Sequence, residues 1–125
     1  MSFDWTAYLH LAQELSGQTT IPPTQEARLR SAISRAYYAA FCKARNHLRD
    51  KEGLSIPLTG QAHTIIWRRF KNSSDQLRKE IGENLRRLRN DRRQADYDDD
   101  VRNLHTLTHK ALTRATQVLS ALGKL

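Results

Sequence analysis

Apolar residues recur every three or four positions along nearly the whole chain, and no stretch alternates as a half-buried strand would. That spacing limits the 125 residues to helices packed on helices. A first helix is expected over about 4–16, with Trp5, Tyr8, Leu11, Ala12 and Leu15 on one face and Gly17 ending it. Thr19-Thr20-Ile21-Pro22-Pro23 reads as a linker, and Thr24 as the N-cap of the second helix. That helix covers about 25–50. Leu29, Ile33, Ala36, Tyr37, Ala40, Ala44, His47 and Leu48 form its core stripe. Tyr38 and Cys42 fall on the opposite side, near Ser31 and Ser34, a mix that suits either a subunit contact or a partly exposed tyrosine.

Gly53, Pro57 and Gly60 break residues 51–60 into a loop. A short helix over 61–70 ends in Trp67-Arg68-Arg69-Phe70. Ser73 and Gln76 have capping-box spacing in the next turn. A fourth helix spans about 75–94, with Leu77, Ile81, Leu85 and Leu88 inward. The acids after Tyr97 favour a new helix start, since carboxylates are stabilised at a helix N-terminus. The fifth helix is therefore placed over about 99–122. Val101, Leu104, Thr108, Ala111, Leu112, Ala115, Leu119 and Leu122 point inward, and Gly123 closes it. The fold class is all-α: one domain over residues 1–125, an antiparallel bundle of four to five helices.

Charge narrows the function. Lys and Arg number 21 against 13 Asp and Glu, for a net +8, which points to an anionic partner with nucleic acid the first candidate. The charge is concentrated: residues 68–93 hold ten basic and four acidic side chains, so the rest of the chain carries only +2. No apolar run approaches the ~18 residues needed to cross a bilayer. The lone Cys42 excludes an internal disulfide and a Cys-cluster zinc site. The histidines are not read as a metal site, so no metal or cofactor is expected. The opening MSFDWTAYLHL has Asp4 and no basic region, unlike a secretory leader, so a cytoplasmic location is expected.

Lys79, Arg86 and Arg93, seven apart, form a basic ridge on the outer face of the fourth helix. On its inner face, continuing the Ile81–Leu88 stripe by four residues lands on Arg92. Arg89, Asn90, Arg92, Asp96 and Tyr97 thus gather near a helix junction. Such a group can hold a phosphate or cradle a base, and it can equally be an Arg–Asp tie that fixes the junction. Other candidates have plainer readings. Trp5 and Trp67 suit the core, though Trp67 to Phe70 could stack bases. His47 sits on a core stripe, and His105 at a boundary. His10 and His63 read as surface or packing residues. Arg102 and His109 share a helix face by spacing, and Cys42 reads as packing.

The stretch SAISRAYYAAFCKARNHL (Ser31 to Leu48), followed by LRRLRNDRRQADYDDD (Leu85 to Asp100), resembles the HEPN superfamily. It is similar to the branch with an SRAYYAAF helix and a later RxxADY-like motif. The resemblance implies a homodimeric helical bundle that binds RNA or nucleotide. It also implies the toxin-like role of a toxin–antitoxin or defence system, with a minimal nucleotidyltransferase as antitoxin partner and metal-independent endoribonuclease activity. In that motif an Arg is followed after a short gap by a His and often then a Tyr. Arg89 matches the arginine, Asn90 the polar position after it, and Tyr97 the tyrosine. The histidine position falls on Ala95, which cannot transfer a proton, and losing a general acid–base group costs ~10²–10⁴-fold in rate. The implied nucleic-acid contacts are Lys79, Arg86, Arg89, Arg92 and Arg93. Tyr97 is also a candidate for adenylylation by the partner. The alternative is a non-catalytic, dimeric, nucleotide-binding partner of the nucleotidyltransferase. A third class is a structural bundle whose basic ridge serves solubility.

Overall fold

Two short polar side chains set where the long helices begin. Thr24, in extended conformation, accepts a hydrogen bond at Oγ1 from the backbone N–H of Ala27, and α2 (Gln25–Glu52) starts there. Asp75 does the same for the N–H of Arg78 and starts α4 (Gln76–Tyr97). Ser73, expected to cap this helix, instead accepts from the N–H of Asp75 and shapes the turn before it. The computed structural model describes residues 3–15 and 22–125, without the side chains of Ala7, Tyr8 and His10. The expectations for Gly17, Thr19, Thr20, Ile21 and the faces of Tyr8 and His10 lie outside the described residues.

The remaining elements are α1 (Thr6–Leu15), α3 (Gln61–Lys71) and α5 (Leu104–Leu122). Among the described residues there is no strand, and no helix is long and apolar enough to cross a membrane. The chain thus forms the expected all-α helical bundle. Gly53 ends α2 in the left-handed conformation, φ 67°, and the next N–H, of Leu54, turns back to the carbonyl of Leu48.

The core lies between α2, α4 and α5, with α3 packed mainly on α4. Ile33, Tyr37, Ala40, Ala44 and Leu48 bury the α2 stripe, and Ile81, Leu85 and Leu88 that of α4. His47 keeps to the expected stripe: its side chain is 12% exposed, lies by Phe70 and pairs through Nε2 with Glu52 at 3.2 Å. In α1, Leu11 is buried, whereas Ala12 and Leu15 face solvent. Gly82 lets α4 pass against the end of α3. A Cβ there would lie 2.4 Å from the Lys71 backbone nitrogen and 2.7 Å from the Trp67 carbonyl oxygen.

The fifth helix differs from expectation in its start and in two residues of its inner face. It begins at Leu104 and not near residue 99. The carbonyls of Asp98 and Asp99 are held by Arg30, at 2.6 and 3.1 Å, and Arg30 also binds the Ala95 carbonyl at 3.0 Å. One buried guanidinium thus gathers the end of α4 and the chain leaving it, so these acids do not open a helix. Asn103 turns the chain at φ 53° before α5 begins. The buried face of α5 is Thr108, Ala111, Ala115, Val118 and Ala121, while Leu112 and Leu119 are exposed. Thr108 tolerates burial because its hydroxyl donates to the Leu104 carbonyl at 2.8 Å. Asp91, also buried, joins α4 to α5 through Arg114 at 2.7 Å.

Candidate functional site

Adjacent positions on a helix differ by about 100°, so Tyr37 and Tyr38 take different roles. Tyr37 is buried in the α2 stripe and Tyr38 stands at its edge, 41% exposed. Arg92, at the stripe position of α4, is drawn beneath them and is 8% exposed. Its guanidinium carbon lies 5.5 Å from the Tyr37 ring centre, 5.6 Å from Tyr38 and 5.9 Å from Tyr97. Electron-rich ring faces stabilise a cation that burial has stripped of water. Arg92 also pairs with Asp96 at 3.3 Å, and Asp96 accepts from Ser34 Oγ at 3.4 Å. The Arg–Asp tie exists, within α4 and braced from α2.

One turn earlier, Arg89 reaches across to α3 and donates from Nη1 to Thr64 Oγ1 at 2.8 Å. No carboxylate pairs with it among the described residues. The Nε atoms of both Arg89 and Arg92 are buried without a hydrogen-bond partner. Two guanidiniums and one carboxylate leave the group net positive, with donor capacity unused.

Beside Thr64 stands His63, half-buried and packed at the site, in line with the packing reading of the sequence. Its Nδ1 shares a hydrogen bond with the Tyr37 hydroxyl. The ring stacks on Phe41 with centres 4.5 Å apart and planes at 22°, and on Tyr37 at 5.6 Å. Its pKa is held below the ordinary histidine value, first by burial and then by the charges of Arg89 and Arg92. Burial pushes the Tyr37 hydroxyl far above the usual phenol range, against the pull of the same two arginines. Both partners are therefore neutral at neutral pH. The sequence does carry a faint signal: His63, Ile66, Trp67 and Phe70 have three-, four- and seven-residue spacings, which sets His63 on the packed face of α3. Nothing local names Tyr37 or the arginines as its neighbours.

Arg89, Arg92, Asp96 and Tyr97 do converge. Asn90 and Arg93 lie around the corner, where they line a shallow hollow with Gln94, Tyr97 and Asp98. Lys79 is exposed, a long way down α4 from this group. Arg86 is paired with Glu83, which also takes Lys71 and Arg87. The Glu83 carboxyl is lowered to about 2, chiefly by the hydrogen bond from Arg86. The ridge is thus partly neutralised at its middle.

Ala95 is fully buried and contributes its carbonyl to Arg30. Tyr97 is 70% exposed. On α3, Phe70 is buried, and Arg68 and Lys71 lie 5.4 and 5.7 Å from the Trp67 ring centre, which favours the packing reading of that segment. Arg102 precedes α5 and does not share a helix with His109. Among the described residues no three His, Cys, Asp or Glu side chains are grouped to hold a metal. Comparison of the chain with protein-family models, with curated proteins and with solved structures gives no match.

Proposed function

We propose that the protein is an RNA-binding bundle of HEPN type, a homodimeric toxin-like component of a toxin–antitoxin or defence system that cleaves RNA weakly. The observation that carries this reading is the Arg89–Arg92 pair, whose charge only Asp96 offsets among the described residues. Such a pair suits a phosphodiester. The exposed rings of Tyr38 and Tyr97 beside it suit the flat faces of unstacked bases, which is how single-stranded RNA is commonly held. Asn90 and Arg93 extend the polar surface past Tyr97. The Ser31–Leu48 and Leu85–Asp100 stretches that carry the HEPN resemblance supply α2 and α4 of this same group, which supports reading them together.

The test is binding of a labelled single-stranded RNA to purified protein, with its mass in solution measured in parallel. The expected result is a dimer that binds at ~50 mM salt and releases as salt rises. Arg89→Ala weakens binding about tenfold or more, the scale of a lost charge-assisted phosphate contact. A folded dimer that fails to bind at low salt overturns the reading.

Tyr97 favours a second reading. A phenol 70% exposed beside Arg92 is open to modification, which fits a nucleotide-binding partner of a minimal nucleotidyltransferase more closely than a nuclease. Mass spectrometry after co-expression with such an enzyme checks it. An adenylyl adduct on Tyr97 that is lost in Tyr97→Phe supports it, and unmodified protein counts against it.

A further inference from the structure

We infer that His63 is the proton-transfer residue of this site, supplying from α3 the imidazole that position 95 of α4 lacks. The inference rests on the RNA reading above. The required chemistry is general: for a ribose 2′-hydroxyl to attack its own phosphodiester, a base must take the hydroxyl proton while cations hold the phosphate oxygens. His63 stands close enough to Arg89 and Arg92 for their charge to act on it. It adjoins Thr64, the residue that fixes Arg89 at 2.8 Å, so the imidazole and the unpaired guanidinium are set by consecutive residues of one helix. Its ring stacks on Phe41 and its edge is held by the Tyr37 hydroxyl, which fixes its plane. Its Nδ1 is occupied by the Tyr37 hydroxyl, and Nε2 makes no hydrogen bond among the described residues.

That arrangement gives the two ring nitrogens separate tasks. With Nδ1–H donating to Tyr37 Oη, the lone pair is on Nε2, and Tyr37 acts as the positioning residue behind it. Nε2 takes the 2′-hydroxyl proton as the 2′-oxygen bonds to phosphorus. The P–O5′ bond breaks, its electron pair goes to the 5′-oxygen, and that oxygen takes a proton from water. A 2′,3′-cyclic phosphate and a 5′-hydroxyl result, and the imidazolium returns its proton to solvent. The groups that face His63 are Tyr37 and Tyr38 from α2 and Arg89 and Arg92 from α4, with no carboxylate among those that set its charge. Burial first, and then the charges of Arg89 and Arg92, keep the imidazole unprotonated and ready to act as a base near neutral pH.

The experiment compares wild type, His63→Asn and Arg89→Ala for RNA binding and for appearance of the cyclic phosphate across about pH 5 to 8, the range in which a histidine titrates. Asn can still hydrogen-bond Tyr37 but cannot carry the proton, so the site stays assembled. The expected result is binding by His63→Asn within about twofold of wild type, with its cleavage reduced ~10²-fold or more. The wild-type rate should rise with pH through a midpoint below 6.5, and His63→Asn should lose that limb. For His63→Ala, rescue by free imidazole is the expected counterpart. Wild-type cleavage that His63→Asn matches overturns the assignment and leaves the RNA reading intact. A wild type that binds RNA and never cleaves it overturns the assignment together with the cleavage named in the proposed function, and leaves RNA binding standing. Absence of binding overturns the RNA reading itself, a result distinct from the other two.

Discussion

Arg30 is 1% exposed and makes three hydrogen bonds to backbone carbonyls, those of Ala95, Asp98 and Asp99. Glu26 lies 3.3 Å from its Nε as a charge partner, and the Phe3 ring is 4.2 Å from the guanidinium carbon. Hydrogen bonds from a charged donor contribute ~1.5–3 kcal/mol each, and a carbonyl left buried without one is penalised. Arg30→Met is therefore expected to destabilise the fold by about 3 kcal/mol or more, read as a lower urea midpoint. A shift below ~1 kcal/mol would show that water replaces the guanidinium at no cost. Sequence does not reveal that Arg30 serves carbonyls 65 to 69 residues away, because backbone acceptors leave no mark on residue identity. The same limit hides His63, whose partner Tyr37 lies 26 residues upstream on another helix. Arg89 and Arg92 are legible because one helix brings them together by spacing alone.

Periodicity and caps locate the helices to within a few residues wherever an end is decided locally. Thr24 is such an end. The α4–α5 junction is not, because Arg30 overrides the preference of acidic residues for a helix start. The inner face of α5 departs from expectation for a related reason. Hydrophobicity alone favours leucines inward, but the alanines and Val118 are what fit against α2 and α4, leaving Leu112 and Leu119 outside. Close approach also governs α3 against α4 at Gly82, where the neighbouring atoms are backbone and cannot rotate away. Gly82→Ala would gain ~1 kcal/mol in helix propensity at an open site. Here it is expected to lose ~1–3 kcal/mol through overpacking, seen as a lower thermal midpoint. An unchanged or raised midpoint would mean the two helices can separate freely.

Across the molecule, charge is arranged in two tiers. Outer basic residues near the middle of α4 are held by Glu83, while the inner pair, Arg89 and Arg92, is under-compensated. Glu83→Gln removes a carboxylate that otherwise stays ionised down to about pH 2, and so releases Lys71, Arg86 and Arg87. If RNA tracks this face, the variant binds more tightly at low salt and its affinity falls more steeply as salt rises, by ~0.7 in log–log slope for each added phosphate contact. An unchanged slope would confine RNA to the inner pair.

Trp5 donates to Asp99 at 2.9 Å, and the N–H of Phe3 binds the Asp99 carbonyl, so residues more than 90 apart in sequence are fastened together. Closing a loop that long is entropically costly and is rewarded only after the helices between have assembled. The contact therefore belongs to the native side of the folding barrier. Asp99→Ala should speed unfolding while leaving the folding rate nearly unchanged, as stopped-flow in urea would read. In that light the clasp around Arg30 is a brake on opening: it sets how long a folded molecule lasts, and the helices decide how quickly one forms.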